Sequence, residues 1–352
     1  MCLMAAIILA GKEASAEELA RALAEAQKMS ECDIAVIADC MPEGASLFYS
    51  TSQASFATAL AQAVENCDEE NIILLDARLT LSPSMLQGFA DFCKSKASDA
   101  VSYVALEAKH EILEINDFAV ESVVNAIAAR STLPLYCIGF SKHAFESHIA
   151  SQSQSAAELM AEMMLHALVR GSEIAEFAEP VHSNSVPLLS DEAYARLLAT
   201  AMNHINIEEL FPQHDWSGHQ SESAAASYHA LAALFIKLGD VSSASECLKL
   251  SDNFEDSPRS QALKGIIASQ RGEMLGAVAN MVTSLQQYET RKKSVQGSHY
   301  LSFAPQDIEV VSNRLQEGLA ALNVRDNKSA YEHFREAVFN FDAFFKDLGI
   351  EK

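Results

Sequence analysis

The strongest constraint on this chain is a change of hydrophobic period near residue 185. Before it, short apolar runs alternate with amphipathic segments. The runs are AAIILA (5–10), DIAVIAD (33–39), NIILLD (71–76), DAVSYVAL (99–106) and LPLYCIGF (133–140). Between them lie helical patterns such as SAEELARALAEAQKM, ASFATALAQAVENC and SPSMLQGFADFCKSK. Continuous apolar strands separated by helices predict a mostly parallel sheet covered on both faces. Such sheets place ligands at the carboxyl ends of their strands. Asp39 and Asp76 both fall at such ends, and Arg78 follows two positions after Asp76.

After about Ser190 the strand pattern stops and helical periodicity takes over. Three stretches share small residues at matching offsets. The first carries Leu231, Ala232, Phe235, Gly239 and Ala244. The second carries Gly265, Ala268, Gly272, Ala277 and Met281, and the third Gly318, Ala321, Ala330, Phe334 and Ala337. Small residues where two helices cross, then a turn, then a small residue and an aromatic, match the tetratricopeptide pattern. A generic helical bundle is the plain alternative. The insertion Gln287–Gln306 displaces the third unit. The expected division is 1–188 for the α/β domain, 189–222 for a helical linker and 223–352 for the all-α repeats. The repeat half reads as a module for a protein partner or a second copy, not as a catalytic one.

A net charge of −23 argues against a nucleic-acid or anionic-membrane partner, since both need clustered Lys and Arg. Seven scattered cysteines without a Cys-x-x-Cys pair read as reduced core thiols in a cytoplasmic protein. The apolar start MCLMAAIILAG reads as a first strand, not a signal peptide, and no run approaches a membrane span. LAGKEAS lacks the first glycine and the Ser/Thr of a phosphate loop. No Gly-x-Gly-x-x-Gly follows the first strand, and no nucleophile elbow is present.

Residues 1–185 resemble the GT-A fold of family-2 glycosyltransferases. Four elements occur in the family's order. IAVIADCMPEGAS looks like the strand leading to an aspartate at the nucleotide base, with Asp39 in that place. IILLDARLTLSPSML looks like the strand ending in Asp-x-Asp before a Ser/Pro-started helix, with Asp76 as the first aspartate. YCIGFSKHAFE looks like the small residue after a later strand. AAELMAEMMLHALVRGSEIAEFAEPVHS looks like the closing acidic helix, Arg-Gly turn, strand and histidine, with His182 last. The resemblance implies an inverting transferase using a nucleoside-diphosphate sugar, with a divalent metal (manganese or magnesium) held by Asp76 and His182. It departs from the family at two places. Arg78 stands where the second aspartate belongs, and a guanidinium can clamp phosphate without metal. The place of the catalytic base falls near Leu159-Met160, with Glu158 and Glu162 the nearest carboxylates.

Each of these residues also has an ordinary reading. Asp76 can bond local backbone, Arg78 can be a solvated strand-tip cation, and Asp39 can be a turn aspartate. Glu158 and Glu162 read as one exposed helix face, and His182 as structural. The link FPQHDWSGHQSES (211–223) holds the single tryptophan, Trp216, between His214 and His219. It reads as a metal clip, a ligand-stacking ring or a staple between the two domains. The function expected is glycosyl transfer to a protein or other acceptor recruited by the helical repeats. The competing expectation is a decayed transferase that serves as an interaction scaffold. A sugar-phosphate nucleotidyltransferase, the third alternative, lacks its glycine- and basic-rich signature after the first strand.

Overall fold

A computed structural model describes residues 5–29, 32–52, 54–108, 111–112, 119–130, 136–148, 153–183, 189–294 and 308–350. Cys2 and most of the insertion Gln287–Gln306 lie outside these residues, as do positions 133–135 of LPLYCIGF. The chain divides into two compact units. One is Met1–Val120 with Ser131–Ala193, and the other is Glu121–Arg130 with Tyr194–Lys352.

The first unit is α/β. Its elements are β1 (Ala5–Ala10), α1 (Ala16–Ala26), β2 (Ile34–Ala38), β3 (Leu47–Ser50), α2 (Phe56–Asn66), β4 (Asn71–Asp76), α3 (Pro83–Lys94), β5 (Val101–Ala108) and β6 (Glu111–Ile112). α4 (Val123–Ala128) falls in the second unit, and the chain then returns for β7 (Cys137–Ser141), α5 (Lys142–His148), α6 (Ala156–Arg170) and β8 (Ile174–Ser183). The strands form one sheet in the order β3-β2-β1-β4-β7-β5-β6, with β8 paired to β5. β3, β2, β1 and β4 are parallel neighbours. β7 runs antiparallel to both β4 and β5, while β8 is parallel to β5. The sheet is therefore mixed. An apolar run buried on both faces carries no mark of strand direction, so the sequence pattern alone could not show that β7 is reversed.

Strand alternation feeds two cores. Ile8, Ile37, Leu74 and Phe140 meet α2, α5 and α6 on one face. Ile7, Leu9, Val36 and Ile73 meet α1 and α3 on the other. The helices start where their side chains cap them. Ser15 forms a capping box with Glu18. Ser82 caps α3 ahead of Pro83, Ser155 caps α6, and Gly171, at φ +68°, ends α6. Glu158 and Glu162 are 2% and 3% exposed, so they do not form an exposed helix face. α6 is apolar nearly all round, and its two acids are enclosed with the turn that precedes it.

Among the described residues the second unit is all helix beyond Ala193. It comprises α7 (Asp191–His204, which begins in the first unit), α8 (Ile207–Leu210), α9 (Gln220–Lys237), α10 (Val241–Asp252), α11 (Pro258–Gln270), α12 (Met274–Ser294), α13 (Ile308–Asn323), α14 (Asn327–Val338) and α15 (Phe341–Asp347). α9/α10, α11/α12 and α13/α14 pack as consecutive pairs. Each pair turns on a residue in the left-handed region: Gly239 at φ +82°, Gly272 at +79° and Arg325 at +61°. Asp240 and Asp326 then cap the second helices of their pairs. At two of the crossings an added side chain would crowd its neighbour. A Cβ on Gly265 would sit 3.0 Å from Met281, and one on Gly318 would sit 2.4 Å from the Phe334 ring. Among the described residues no helix is long and apolar enough to cross a membrane.

Candidate functional site

The carboxyl ends of β3, β2, β1 and β4 share one edge of the sheet. Backbone hydrogen bonds carry the pairing one residue past the strands. Gly11 N donates to Ile37 O at 2.7 Å, Ala77 N to Ala10 O at 2.9 Å, and Thr51 N to Ala38 O at 3.1 Å. Thr51, Asp39, the Gly11–Glu13 loop and Asp76–Arg78 therefore stand side by side. A Cβ on Gly11 would lie 2.8 Å from Leu19, so glycine lets α1 approach the β1 tip closely.

At the β4 tip Asp76 is 1% exposed and wrapped by its own loop. Arg78 N donates to Asp76 Oδ1 at 3.0 Å. Arg78 Nε donates to the same oxygen at 3.0 Å and to Oδ2 at 3.2 Å, and Nη2 donates to Oδ2 at 2.6 Å. This is a bidentate fork on a buried carboxylate. Nη2 also reaches Glu13 Oε2 at 2.9 Å. The guanidinium lies over the Tyr136 ring, 5.5 Å from its centroid, and Tyr136 O accepts from Asp76 N at 2.7 Å. Burial lowers the Arg78 pKa, but the bond and charge of Asp76, with Glu13, outweigh it and the net shift is upward. Arg78 is not a freely solvated strand-tip cation.

Asp39 accepts from Thr51 Oγ1, which fixes its carboxylate at the β2 tip. Lys12 Nζ donates to Gln154 O at 2.9 Å, and Gln154 N donates to Glu158 Oε2 at 2.9 Å. The edge is thereby joined to the start of α6. Ser155 Oγ accepts from Glu158 N at 3.2 Å, while Glu162 Oε2 accepts from buried Ser153 Oγ. Both acids organise the turn before α6.

The described residues do not fit a divalent cation at Asp76. Both of its oxygens already accept from a guanidinium, and a metal would need an adjacent carboxylate where Arg78 stands. Among the described residues no group of three or more His, Cys, Asp or Glu is placed to hold a metal ion. His182 lies near the carboxyl end of β8, and its side chain is outside the described residues. The sheet order separates β8 from β4 by three strand spacings, roughly 14 Å of backbone.

Among the described residues the 211–223 link forms no metal-holding group. His214 is buried, with Nδ1 2.9 Å from Ser227 Oγ. Asp215 Oδ1 accepts from Ser217 Oγ and Gly218 N. Trp216 Nε1 donates to Phe211 O at 2.8 Å, so this ring staples a turn within the second unit. Glu13, Thr51 and Tyr136 join the edge with no warning from the sequence. Glu13 sits in a stretch that fails as a phosphate loop, and Tyr136 reads as one more residue of an apolar run.

No known family profile matches the sequence, and no curated protein matches it. Solved structures do overlay on the chain. Residues 1–349 of Staphylococcus aureus TarS align at 12% identity over 95% of this chain and 90% of that one, with a TM-score of 0.41. Glucosyl-3-phosphoglycerate synthase from Mycobacterium tuberculosis, solved with uridine diphosphate, aligns at 11% identity over 57% and 79%, with a TM-score of 0.41. A mannosyltransferase from Pyrobaculum calidifontis, solved with GDP-mannose and manganese, aligns at 9% identity over 99% and 87%, with a TM-score of 0.35. Likeness at this level assigns no activity, so the functional reading below rests on the residues of this chain.

Proposed function

We propose that the first unit is a GT-A-like domain that binds a nucleoside-diphosphate sugar at the carboxyl edge of its sheet and transfers the sugar to an acceptor. One observation carries this reading. Asp39, the Lys12–Glu13 loop and the Asp76–Arg78 pair stand at the tips of three neighbouring parallel strands, an order that suits the base, ribose and diphosphate of such a ligand. Glu158, tied to that edge through Gln154 and Lys12, takes the proton from an acceptor hydroxyl or thiol. The acceptor atom then bonds to the anomeric carbon as the bond to the diphosphate breaks, and the nucleoside diphosphate leaves with the electron pair. The second unit, read as tetratricopeptide-like from its three glycine- or arginine-turned helix pairs, recruits a protein acceptor or a second copy.

A second reading is a decayed transferase acting as a scaffold. It is favoured by Arg78 at the second aspartate's place and by the enclosure of Glu158 and Glu162. Calorimetric titration of the full chain with UDP and GDP, with and without Mn²⁺, separates the two. The transferase reading expects binding that Mn²⁺ does not alter, followed by sugar release from a matching donor. Absence of binding to both nucleotides sinks it and leaves the scaffold. In an active enzyme, Glu158→Gln should lower kcat by about 10²–10⁴-fold. An unchanged kcat removes Glu158 from the mechanism.

A further inference from the structure

We propose that Asp76 holds Arg78 in place, that Arg78 is the phosphate-binding group of this edge, and that Glu13 is a latch competing with the phosphate. The identity of the natural ligand rests on the nucleotide reading above, but the anion site itself does not. Arg78 spends its Nε/Nη2 side on Asp76, which is buried and fixes the plane of the guanidinium. Tyr136 supports the guanidinium, 5.5 Å from its ring centroid. The remaining edge, Nη1 with the second Nη2 hydrogen, is the one left to face a ligand. Among the described residues Nη1 has no hydrogen-bond partner, and Nη2, bonded to Asp76, also forms an ion pair with Glu13 at 2.9 Å.

A phosphate binds a guanidinium bidentately, through two parallel N–H groups. On Arg78 the available pair is Nη1 and Nη2, and the Glu13 carboxylate stands against Nη2 as a competing counter-charge, 2.9 Å away. Asp76 cannot give way, because its buried carboxylate would lose its counter-charge. Glu13 can. Its side chain is 37% exposed and sits on the loop between β1 and α1. Glu18, whose charge also reaches Arg78, is committed to Ser15 N and Oγ at 2.8 Å. Glu13 is therefore the group whose departure opens the anion site.

The test titrates the full chain with inorganic pyrophosphate and with UDP, comparing wild type, Glu13→Gln and Arg78→Lys. Glu13→Gln should bind pyrophosphate at least threefold tighter than wild type. Arg78→Lys keeps a positive charge against Asp76 but lacks the second planar edge. It should bind at least tenfold more weakly than wild type, with an unchanged far-UV spectrum. Equal binding by all three proteins, or none by any, overturns the inference. If the pyrophosphate pattern holds but UDP binds no better than pyrophosphate, the anion site stands and the nucleotide reading fails. If UDP binds wild type and Arg78→Lys alike, the nucleotide reading stands and this assignment falls.

Discussion

At the residue scale, the Asp76–Arg78 pair separates structural from functional cost. Asp76 is 1% and Arg78 21% exposed, so their ion pair is mostly shielded from water. Removing one partner leaves the other as an uncompensated buried charge, which costs about 3–5 kcal/mol. Arg78→Ala should therefore lower the unfolding free energy by an amount of that order, read as a lower urea midpoint at unchanged slope. Glu13→Gln breaks a more exposed contact and should stay within about 1 kcal/mol of wild type. Comparable midpoints for the two variants would mean that Asp76 draws its compensation from elsewhere. The sequence showed an aspartate and an arginine at a strand tip. It did not show that they hold each other, because that depends on the loop turning back so that Arg78 N and Nε meet the same oxygen.

At the element scale, the helix pairs of the second unit are set by a few glycines. Gly318 faces a buried Phe334 ring at a distance no Cβ tolerates. Gly318→Ala should overpack the α13/α14 crossing and lower stability by about 1–3 kcal/mol. Gly276 in α12 is the control, since a Cβ there meets nothing closer than 3.8 Å. Gly276→Ala should raise stability by about 0.5–1 kcal/mol through helix propensity and reduced chain entropy. Thermal melts of both variants check the sign, and a stabilising Gly318→Ala would mean that the crossing is looser than described. Gly318 was legible in the sequence as one of the small residues at matching offsets. Arg325 was not, since nothing in its identity announces a left-handed turn.

At the scale of the whole molecule, two buried histidines set an acid limit. His229 is pushed down to about 3, by burial first and then by the charges of Arg259 and Lys264. His214 is pushed down to about 4, by burial first, with the Ser223 bond opposing and the charge of Arg259 adding. Both folded values lie below the unfolded value of about 6.5, so the unfolded chain binds more protons between them. Their contribution is complete above about pH 6.5 and is lost as pH falls toward 4 and 3. Each should cost on the order of 2–3 kcal/mol by about pH 4.5. Denaturant melts at neutral pH and near pH 4.5 measure the total. His229 Nε2 lies 2.6 Å from Ser251 Oγ, so His229→Gln keeps a polar partner there and should remove about half of the acid loss. An undiminished loss in that variant would assign the acid limit to the carboxylates instead.

The sequence by itself determined the class of each half. Apolar runs joined by amphipathic stretches can bury themselves only as a covered sheet, and small residues at repeated offsets fit only crossing helices. It also brought Asp39 and Asp76 to strand ends, because the continuous apolar runs stop there. The tertiary structure decided the rest. It reversed β7, enclosed Glu158 and Glu162, put Trp216 to work within one unit, and brought Glu13 from a different loop onto Arg78. These outcomes depend on which strands become neighbours, and so on the packing of the two cores taken together. No local stretch of sequence encodes that packing.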